Sequence, residues 1–306
     1  MSPAMVRTDD PAQAPQRIRR QVLAWFAREQ RELPWRSTRD PWAVLVSEVM
    51  LQQTQAARVS DRFPPFLDRF PTPEAMATAA EADVLAAWSG LGYNRRALAL
   101  RRTAVLASAA GWPSDPAGLE RLPGVGRYTA RAVAAIAFGR PVGAVDTNVR
   151  RWLVRRFGLA TDAPPAELQA LADRLAVGRQ PVASAEAAAW MHASMEFGAR
   201  ICSARHPACS QCPIGNGCPS RGVPRHVPVS RQSPFAGSSR ARRGALLRAL
   251  SAAPGHQLTT AEARRLAGSD AATVEALERD GLAHRAGAWL RLGGEATAQP
   301  PTTIER

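Results

Sequence analysis

The sequence predicts an all-α fold for most of the chain, and three observations support that prediction. Between Pro15 and about Arg200, apolar residues recur at helical spacing, and proline and glycine punctuate the runs. No stretch of this region alternates apolar and polar residues as a half-buried strand does. Hydrophobic residues make up 45% of the 306 residues, which is enough to fill cores of ordinary size.

The C-terminal part predicts a small second module over residues 241–293. Three helices followed by a hairpin are typical of a winged-helix-like module. The predicted elements are a helix at Arg242–Leu250, a helix that begins at a capping box of Thr259 and Glu262, a helix capped by Ser269 or Asp270, and a hairpin of Leu282–Arg285 and Trp289–Leu292.

Three further segments are expected to connect or flank these folded parts. Residues 1–14 are rich in proline and aspartate and predict a disordered arm. Residues 226–240 carry prolines, serines and a glycine, which is typical of a linker. Residues 294–306 are expected to form a disordered tail.

The charge of the chain indicates a polyanionic partner. Forty basic residues, all of them arginine, face 26 acidic ones, so the net charge is +14. Nucleic acid is the first candidate and a membrane surface the second, although a coding bias towards arginine could also produce this excess. The absence of lysine excludes a lysine Schiff base as the catalytic device. No apolar run approaches the roughly 18 residues that cross a bilayer, and the N-terminus lacks a signal-like apolar segment, so a cytoplasmic protein is expected. We also expect a monomer.

A glycine-rich turn separates two helical runs at Leu122-Pro-Gly-Val-Gly-Arg-Tyr-Thr129. Gly124 and Gly126 are expected to permit a tight turn with positive φ. The turn opens a helix predicted at Tyr128–Phe138, whose N-terminus favours an anion, and Arg127 adds charge. Such a turn can be purely structural, but together with the net charge it favours binding to nucleic-acid phosphate.

Glu48 is an acidic residue inside an apolar helix. The run Ala43–Gln55 is apolar on nearly every side until Gln52, which predicts a buried helix. A lone carboxyl group there is costly unless it is protonated, paired or functional. Burial raises a carboxyl pKa, which suits a general acid. Gln52 lies one turn further on the same face.

Asp146 is a second carboxylate in an apolar stretch, Pro141–Val149, that leads into a helix. Capping that helix is the simpler interpretation, and it does not exclude catalysis. Two carboxylates that flank a glycosidic bond are the usual apparatus for cleaving it, one as the acid and one facing the cationic sugar carbon. The sequence separation of Glu48 and Asp146 does not show whether they meet.

Four cysteines predict a metal site. They are spaced Cys-x6-Cys-x2-Cys-x5-Cys within 17 residues, at Cys202, Cys209, Cys212 and Cys218. Clustered cysteines in a chain without an export signal favour metal ligation over disulfides. The spacing itself leaves tetrahedral zinc and a [4Fe–4S] cluster open.

Taken together, these segments resemble the helix-hairpin-helix DNA glycosylases and, among them, the adenine DNA glycosylase (MutY) family. The resemblance covers residues 15–225, about two-thirds of the chain. It rests on Leu33-Pro-Trp-Arg36, Ser47–Gln55, Gly90-Leu-Gly-Tyr93, Leu122–Gly126, Val145-Asp146 with Asn148, and the cysteine spacing. The resemblance implies a [4Fe–4S] subdomain at 15–35 and 140–225 and a six-helix subdomain at 36–139 that contains the hairpin.

The resemblance also implies a substrate and a mechanism. The substrate is double-stranded DNA in which adenine is mispaired with 8-oxoguanine or guanine, and the adenine is flipped out of the duplex. Glu48 would protonate the base and later position water, and Asp146 would stabilise the sugar cation or bond to it transiently. The other implied roles are geometry at the sugar (Tyr128, Asn148), a wedge in the duplex (Gln52, Tyr93) and the lining of the base pocket (Trp35, Arg36).

Tyr128 distinguishes this chain from a sister family. Endonuclease III, which also cuts the DNA strand, resembles this hairpin but carries lysine where Tyr128 stands. We therefore expect a monofunctional glycosylase that leaves an abasic site.

The chain departs from the family pattern in two places. His192 stands where family members often have Glu or Gln; it could bond adenine or be an ordinary helix-face histidine. The family's usual Nudix-like C-terminal domain, which reads 8-oxoguanine, is larger than the segment after the linker. The 241–293 module is expected to stand in its place, where it could bind DNA through Arg264 and Arg265, contact a partner or only pack.

Two other functions stay open on the sequence. The chain could be a non-catalytic protein that binds lesions through the hairpin and the C-terminal module. It could also be a mismatch glycosylase for thymine or uracil opposite guanine, with which Tyr128 is compatible.

Overall fold

The computed structural model describes residues 14–178, 182–228, 234–268 and 271–294. The helices in this described part are α1 Ala14–Glu29, α2 Pro41–Leu51, α3 Ala56–Arg69, α4 Pro73–Thr78, α5 Glu81–Ala87, α6 Arg95–Ala110, α7 Pro116–Glu120, α8 Arg127–Phe138, α9 Thr147–Phe157, α10 Pro165–Val177, α11 Ser184–Arg200, α12 Ser239–Ala252, α13 Thr260–Leu266 and α14 Ala271–Arg279. The strands are β1 Gln257–Thr259, β2 Ala283–Ala286 and β3 Trp289–Leu292, and short 3-10 turns occupy Pro34–Arg36 and Pro254–His256.

The chain forms two compact units. Unit 1 contains the described residues of segments 1–48 and 112–231, and unit 2 those of segments 49–111 and 232–306. The hairpin that joins α7 to α8 therefore groups with unit 1, while α12 to β3 group with α3–α6 in unit 2. The subdomain boundaries predicted from the sequence stay a prediction.

Unit 1 is built around stacked aromatic side chains. Trp152 of α9 meets Phe197 and Trp190 of α11 edge to face, with ring centroids 5.7 and 6.5 Å apart. Trp25 of α1 packs on Phe197 in the same way at 5.8 Å. Edge-to-face pairs of this kind add about 0.5–1.5 kcal/mol each beyond the area that they bury. This core fixes α1, α9 and α11, the helices that border the candidate site.

Unit 2 holds a second core under α3 and α5. Phe66 of α3 packs against Phe70 and Trp88 at centroid distances of 5.1 and 5.6 Å. The C-terminal elements dock on α5 and α6 of the unit: Asp280 pairs with Arg95, and the Gly294 N–H donates to Glu81 at 3.1 Å. Within the C-terminal elements, Asp280 also pairs with Arg243.

The C-terminal elements form three helices and an antiparallel sheet of order β1-β3-β2. The predicted hairpin is present as β2 and β3, and the capping box of Thr259 and Glu262 begins α13 as expected. Strand β1 was not predicted, because three residues are too few for a visible alternation. Ser269 and Asp270, predicted to cap α14, lie outside the described residues, as do most of the 1–14 arm and the 294–306 tail.

The structure confirms the all-α prediction for residues 15–200, since every regular element described there is helical. Across the described ranges, no helix combines the length and the apolar character that a membrane span requires. One detail of the hairpin prediction was wrong. Gly124 has positive φ (75°), but Gly126 is extended, with φ −86°.

Gly198 of α11 gives a test of how tightly α11 packs on α9. A Cβ atom built at Gly198 would lie 2.5 Å from the backbone oxygen of Asn148, which cannot move aside freely. We expect Gly198→Ala to lower the free energy of unfolding by about 1–3 kcal/mol, the usual cost of overpacking, measured by urea denaturation.

Gly244→Ala is the matched control. Gly244 also lies inside a helix, α12, but its Cβ would meet only the end of the Arg248 side chain at 3.5 Å. We expect this variant to be neutral or up to about 1 kcal/mol more stable. Equal losses in both variants would contradict the packing described for α11.

Candidate active site in unit 1

Glu48 lies on the last part of α2 in unit 1, where the helix is apolar on every side and fully packed. Its side chain is 3% exposed, and its neighbours Val44, Leu45 and Val49 are buried as well. The pKa of Glu48 is raised to about 7, mainly by burial; a hydrogen bond with Tyr128 opposes the shift and the charge of Asp146 contributes to it. Glu48 therefore holds a proton at neutral pH far more often than an exposed glutamate does.

Tyr128 stands in the first turn of α8 and is the hydrogen-bond partner of Glu48. Its hydroxyl also donates to the Met195 Sδ atom of α11 at 2.6 Å. Burial raises the pKa of Tyr128 well above its usual value, and the charges of Glu48 and Asp146 add to that shift. The phenol therefore stays protonated, and it has a single proton that it can donate either to Met195 Sδ or to Glu48.

Asp146 occupies the N-cap of α9. Its carboxylate accepts hydrogen bonds from the Val149 N–H at 2.6 Å and from Asn148 Nδ2 at 2.8 Å. Burial raises the pKa of Asp146, and these hydrogen bonds oppose the rise. The capping interpretation is therefore correct, and the cap also places the carboxylate within electrostatic reach of Glu48 and Tyr128.

Asn148 links Asp146 to the start of the cysteine segment. Asn148 Oδ1 accepts a hydrogen bond from Arg151 Nη2 at 2.8 Å. Arg151 also donates to the carbonyl oxygens of Gly198 at 2.6 Å and Cys202 at 2.7 Å. The amide of Asn148 is thus fixed on both sides, which orients its NH₂ group towards Asp146.

Trp35 and Arg36 belong to the 3-10 turn before α2. Trp35 is buried, and Arg36 Nη2 donates to the Glu196 carboxylate of α11 at 2.8 Å. The Arg36 Nε atom is buried and finds no hydrogen-bond partner among the described residues. Arg36 therefore keeps one donor available on a side chain that is otherwise held in place.

Glu196 is the anion that organises this side of the site, and the sequence analysis missed it. Burial would raise its pKa, but hydrogen bonds from Arg31 and Arg36 lower the pKa of Glu196 to about 2. Arg31 bonds both carboxylate oxygens at 2.7 and 2.6 Å. The argument used for Glu48, a lone glutamate in an apolar helix, would also have identified Glu196.

His192 lies one turn before Glu196 on α11 and is buried. Burial lowers the pKa of His192 to about 3, and the positive charge of Arg36 contributes. The imidazole is therefore neutral at physiological pH, with one ring nitrogen as a donor and the other as an acceptor.

The hairpin presents an open helix N-terminus. Gly126 is the N-cap of α8, and its cap has no side-chain hydrogen bond and no acidic residue in the first turn. A Cβ atom at Gly126 would meet nothing within 4 Å among the described atoms, and Arg127 is exposed beside it. Gly124 makes the preceding turn with φ 75°. Backbone N–H groups without a side-chain cap suit an anion.

Gln52 and Tyr93 belong to unit 2, whereas the acidic pair belongs to unit 1. Gln52 follows the end of α2, and Tyr93 precedes α6 with φ 48° and 42% of its surface exposed. The contacts within unit 1 bring together Glu48, Tyr128, Asp146 and Asn148.

All four cysteines line one cavity in unit 1, together with Arg155 and Ser220. No carboxylate or imidazole lines that cavity, and within the described ranges no three cysteine, histidine or acidic residues are arranged to hold a single metal ion. Burial raises the pKa of Cys212 to about 11, so its thiolate needs a nearby cation. The Ser220 hydroxyl is buried without a partner among the described residues.

The chain is similar to known DNA repair proteins. The family model of HhH-GPD superfamily base excision DNA repair proteins matches residues 46–176. The adenine DNA glycosylase of Mycobacterium tuberculosis is 44% identical over 240 residues, which are 76% of this chain and 78% of the relative. A thermostable thymine-DNA glycosylase superposes with TM-score 0.62 at 27% identity, covering 69% of this chain and 98% of that one. Endonuclease III trapped on DNA gives TM-score 0.57 at 25% identity, covering 69% and 96%.

The helical fold, the open hairpin and the buried acid beside a second carboxylate define a base excision DNA repair enzyme of the helix-hairpin-helix class. Within that class, the chain belongs to the adenine DNA glycosylase family. The resemblance stated from the sequence is thereby confirmed, and so is the prediction of a DNA glycosylase.

The raised pKa of Glu48 makes folding stability depend on pH in a defined direction. The pKa is about 7 in the folded chain and near 4.5 in the unfolded chain, so the contribution of Glu48 is complete below pH 4.5 and is lost as pH rises through 7. Between pH 5 and pH 8, we expect the wild type to lose about 2 to 3 kcal/mol more stability than Glu48→Gln, measured by chemical denaturation.

Asp61→Asn is the control for this measurement, because Asp61 is an exposed carboxylate on α3. The Asp61→Asn variant is expected to lose as much stability as the wild type between pH 5 and pH 8. A constant gap between the wild type and Glu48→Gln across the range would show that Glu48 is not protonated by burial.

Proposed function

We propose that the protein removes adenine from DNA by hydrolysis of the bond between the base and deoxyribose. The single observation that supports this most is Glu48, an acid that is 3% exposed, hydrogen-bonded to Tyr128 and close enough to Asp146 to feel its charge. A protonated acid beside a carboxylate is the pair that glycosidic cleavage requires.

In the proposed mechanism, Glu48 donates its carboxyl proton to a ring nitrogen of the extruded adenine. The bond from C1′ to the base then breaks with its electron pair moving to the base, which leaves as neutral adenine. Asp146 faces the positive charge that develops on the sugar, and Asn148 and the α9 N-terminus hold its carboxylate in place. The Glu48 carboxylate accepts a proton from the water that attacks C1′, which restores the acid.

The base pocket is proposed to use Trp35, Arg36 and His192. Trp35 offers an aromatic face, Arg36 has a buried Nε donor without a partner among the described residues, and the neutral His192 has a donor and an acceptor. Adenine presents both donors and acceptors, so this set of groups is complementary to it.

The proposed DNA contacts are the hairpin and two wedge residues. A phosphate would bind the uncapped N–H groups between Gly124 and Gly126, with Arg127 adding charge. Gln52 and Tyr93 would enter the duplex and fill the gap that the extruded base leaves. The mispair is proposed to be adenine opposite 8-oxoguanine or guanine.

The reaction is proposed to stop at the abasic site. A strand cut through a covalent imine needs an amine, and the chain contains no lysine. Tyr128 stands in the hairpin helix as a hydrogen-bonding phenol and supplies no nucleophilic nitrogen.

Cys202, Cys209, Cys212 and Cys218 are proposed to hold a [4Fe–4S] cluster. The four thiols and the lack of carboxylate ligands among the described residues that line their cavity fit this cofactor, and the Ser220 hydroxyl, buried without a partner among those residues, would be able to donate to it. When bound, the cluster would supply the charge that keeps the thiolates ionised and would order the loop. Arg155, which donates to Cys202 Sγ at 3.6 Å and to two backbone carbonyls of the loop, would support that order.

Excision of thymine or uracil opposite guanine is the second candidate. The superposition with a thermostable thymine-DNA glycosylase covers 98% of that protein, which supports thymine or uracil excision as the second candidate. Neutral His192 has one donor and one acceptor nitrogen, which could hydrogen-bond adenine as well as thymine or uracil. An experiment must therefore decide which base is excised.

The proposed function is tested with duplexes that carry adenine opposite 8-oxoguanine, adenine opposite guanine, and thymine or uracil opposite guanine. We expect alkali-dependent cleavage at adenine in the first two, and little cleavage without alkali. Cleavage confined to thymine or uracil would establish the second candidate instead. Binding without release of any base would overturn the enzymatic proposal for both.

Glu48→Gln tests the acid role in the same assay. The variant cannot donate the proton, so we expect at least a 1000-fold loss of excision with duplex binding retained, measured by single-turnover kinetics and gel shift. Glu196→Gln is not a suitable control because it removes the partner of Arg36. Glu74→Gln, which changes an exposed acid on α4, is expected to keep full activity.

The cofactor proposal is tested on the purified chain. We expect a brown protein with about four irons per chain. Stoichiometric zinc without colour would contradict it. Cys212→Ser is expected to lower the iron content and the thermal stability together, whereas Ser210→Ala in the same loop should change neither.

A further inference from the structure

One arginine of unit 2 joins the two segments that carry Gln52 and Tyr93. Arg96, in the first turn of α6, donates through Nη1 to the carbonyl oxygens of Val49 at 2.6 Å and Gln52 at 2.6 Å. Through Nη2 it donates to the carbonyl oxygen of Gly92 at 3.0 Å. Weaker contacts reach Met50, Leu91 and the Thr54 hydroxyl, at 3.2 to 3.3 Å.

The two segments have an unusual backbone. Gln53 and Tyr93 have φ values of 55° and 48°, and besides His256 they are the residues other than glycine in the left-handed region of the described chain. Such a conformation costs about 1–3 kcal/mol for each residue and persists only where the surroundings enforce it. Strained residues of this kind gather at functional sites more often than elsewhere.

The environment of Arg96 explains how the strain is maintained. Its guanidinium lies over the rings of Trp88 and Tyr93, 5.4 Å from each centroid. Burial lowers the pKa of Arg96 to about 10, which leaves it charged at neutral pH. Trp88 also holds the segment before Tyr93, since its Nε1–H donates to the Gly92 carbonyl oxygen at 3.1 Å. A planar, charged fork can bind both segments at once, which a lysine could not do.

We propose that Arg96 is a positioning residue that holds Gln52 and Tyr93 in the conformation with which they enter the duplex. This inference rests on the proposed function, because it assigns Arg96 to the wedge of that same site. Arg96 itself need not touch DNA. It lowers the cost of extruding the base by keeping the two segments ordered before DNA binds.

Arg101 provides a matched control on the same helix. It also donates to backbone carbonyls, those of Ala79 at 3.0 Å and Ala77 at 3.2 Å, but these belong to the segment before α5 and not to the wedge. If Arg96 only supported the fold, then Arg96→Gln and Arg101→Gln should affect catalysis alike.

The experiment compares two substrates by single-turnover kinetics with the full chain. One duplex carries adenine opposite guanine, and the other carries adenine opposite an abasic site, where less pairing must be broken. For Arg96→Gln we expect a loss of at least tenfold on the first duplex and less than threefold on the second. Arg101→Gln is expected to leave the ratio of the two rates as in the wild type.

Two further variants keep the test decisive if Arg96→Gln folds poorly. Arg96→Lys retains the charge and is expected to show the same substrate-dependent loss at a smaller size. Adding Tyr93→Ala to either Arg96 variant should cost less than threefold beyond the larger single loss, because both changes remove the same wedge. Equal losses on the two duplexes, or fully multiplicative losses in the double variant, would overturn the inference.

Base release by the wild type distinguishes a failure of the proposed function from a failure of the Arg96 assignment. If it releases no base from any duplex, the proposed function fails. If it releases adenine while the Arg96 variants keep the wild-type ratio of rates, only the assignment of Arg96 fails.

Discussion

The proposed chemistry depends on keeping one carboxyl group, that of Glu48, out of water. Helix α2 is apolar around most of its circumference, so Glu48 is buried beside the Tyr128 hydroxyl and within reach of the charge of Asp146, and its pKa rises to about 7. Asp146 is treated differently: its carboxylate caps α9 and receives two hydrogen bonds. Burial raises the pKa of both acids, but only at Asp146 do a backbone N–H and an amide oppose the rise, and a pair of carboxyl groups in unlike surroundings is the arrangement that acid-assisted cleavage uses.

Arginine carries much of the structural hydrogen bonding in this lysine-free chain. Arg96, Arg151 and Arg155 each reach backbone carbonyl oxygens of two or more segments, at distances of 2.6 to 3.4 Å. The rigid guanidinium fork suits this bridging role. Part of the net charge of +14 is therefore committed inside the fold, and the charge that can meet DNA is smaller than composition suggests. The net charge alone is therefore weaker evidence for DNA binding than it first looks. The open hairpin supports DNA binding independently of the net charge.

The sequence was most informative where the chemistry is local. Helical periodicity predicted the all-α fold, and the apolar run around Glu48 predicted its burial. Asp146 as a cap and the capping box of Thr259 follow from residues three positions apart. Partners far along the chain were not predictable. Glu196 meets Arg31 across 165 positions, and Tyr128 meets Met195 across 67. The prediction of a positive φ at Gly126 was wrong, because glycine is also used at positions where another group needs space to approach the backbone.

The pH dependence of base release in a single turnover is the most direct test of the central claim. With saturating enzyme on a duplex carrying adenine opposite guanine, the rate is predicted to fall about tenfold for each pH unit above 7, as Glu48 loses its proton. A rate that stays constant from pH 6 to pH 9 would mean that no buried acid supplies the proton, and the account would fail.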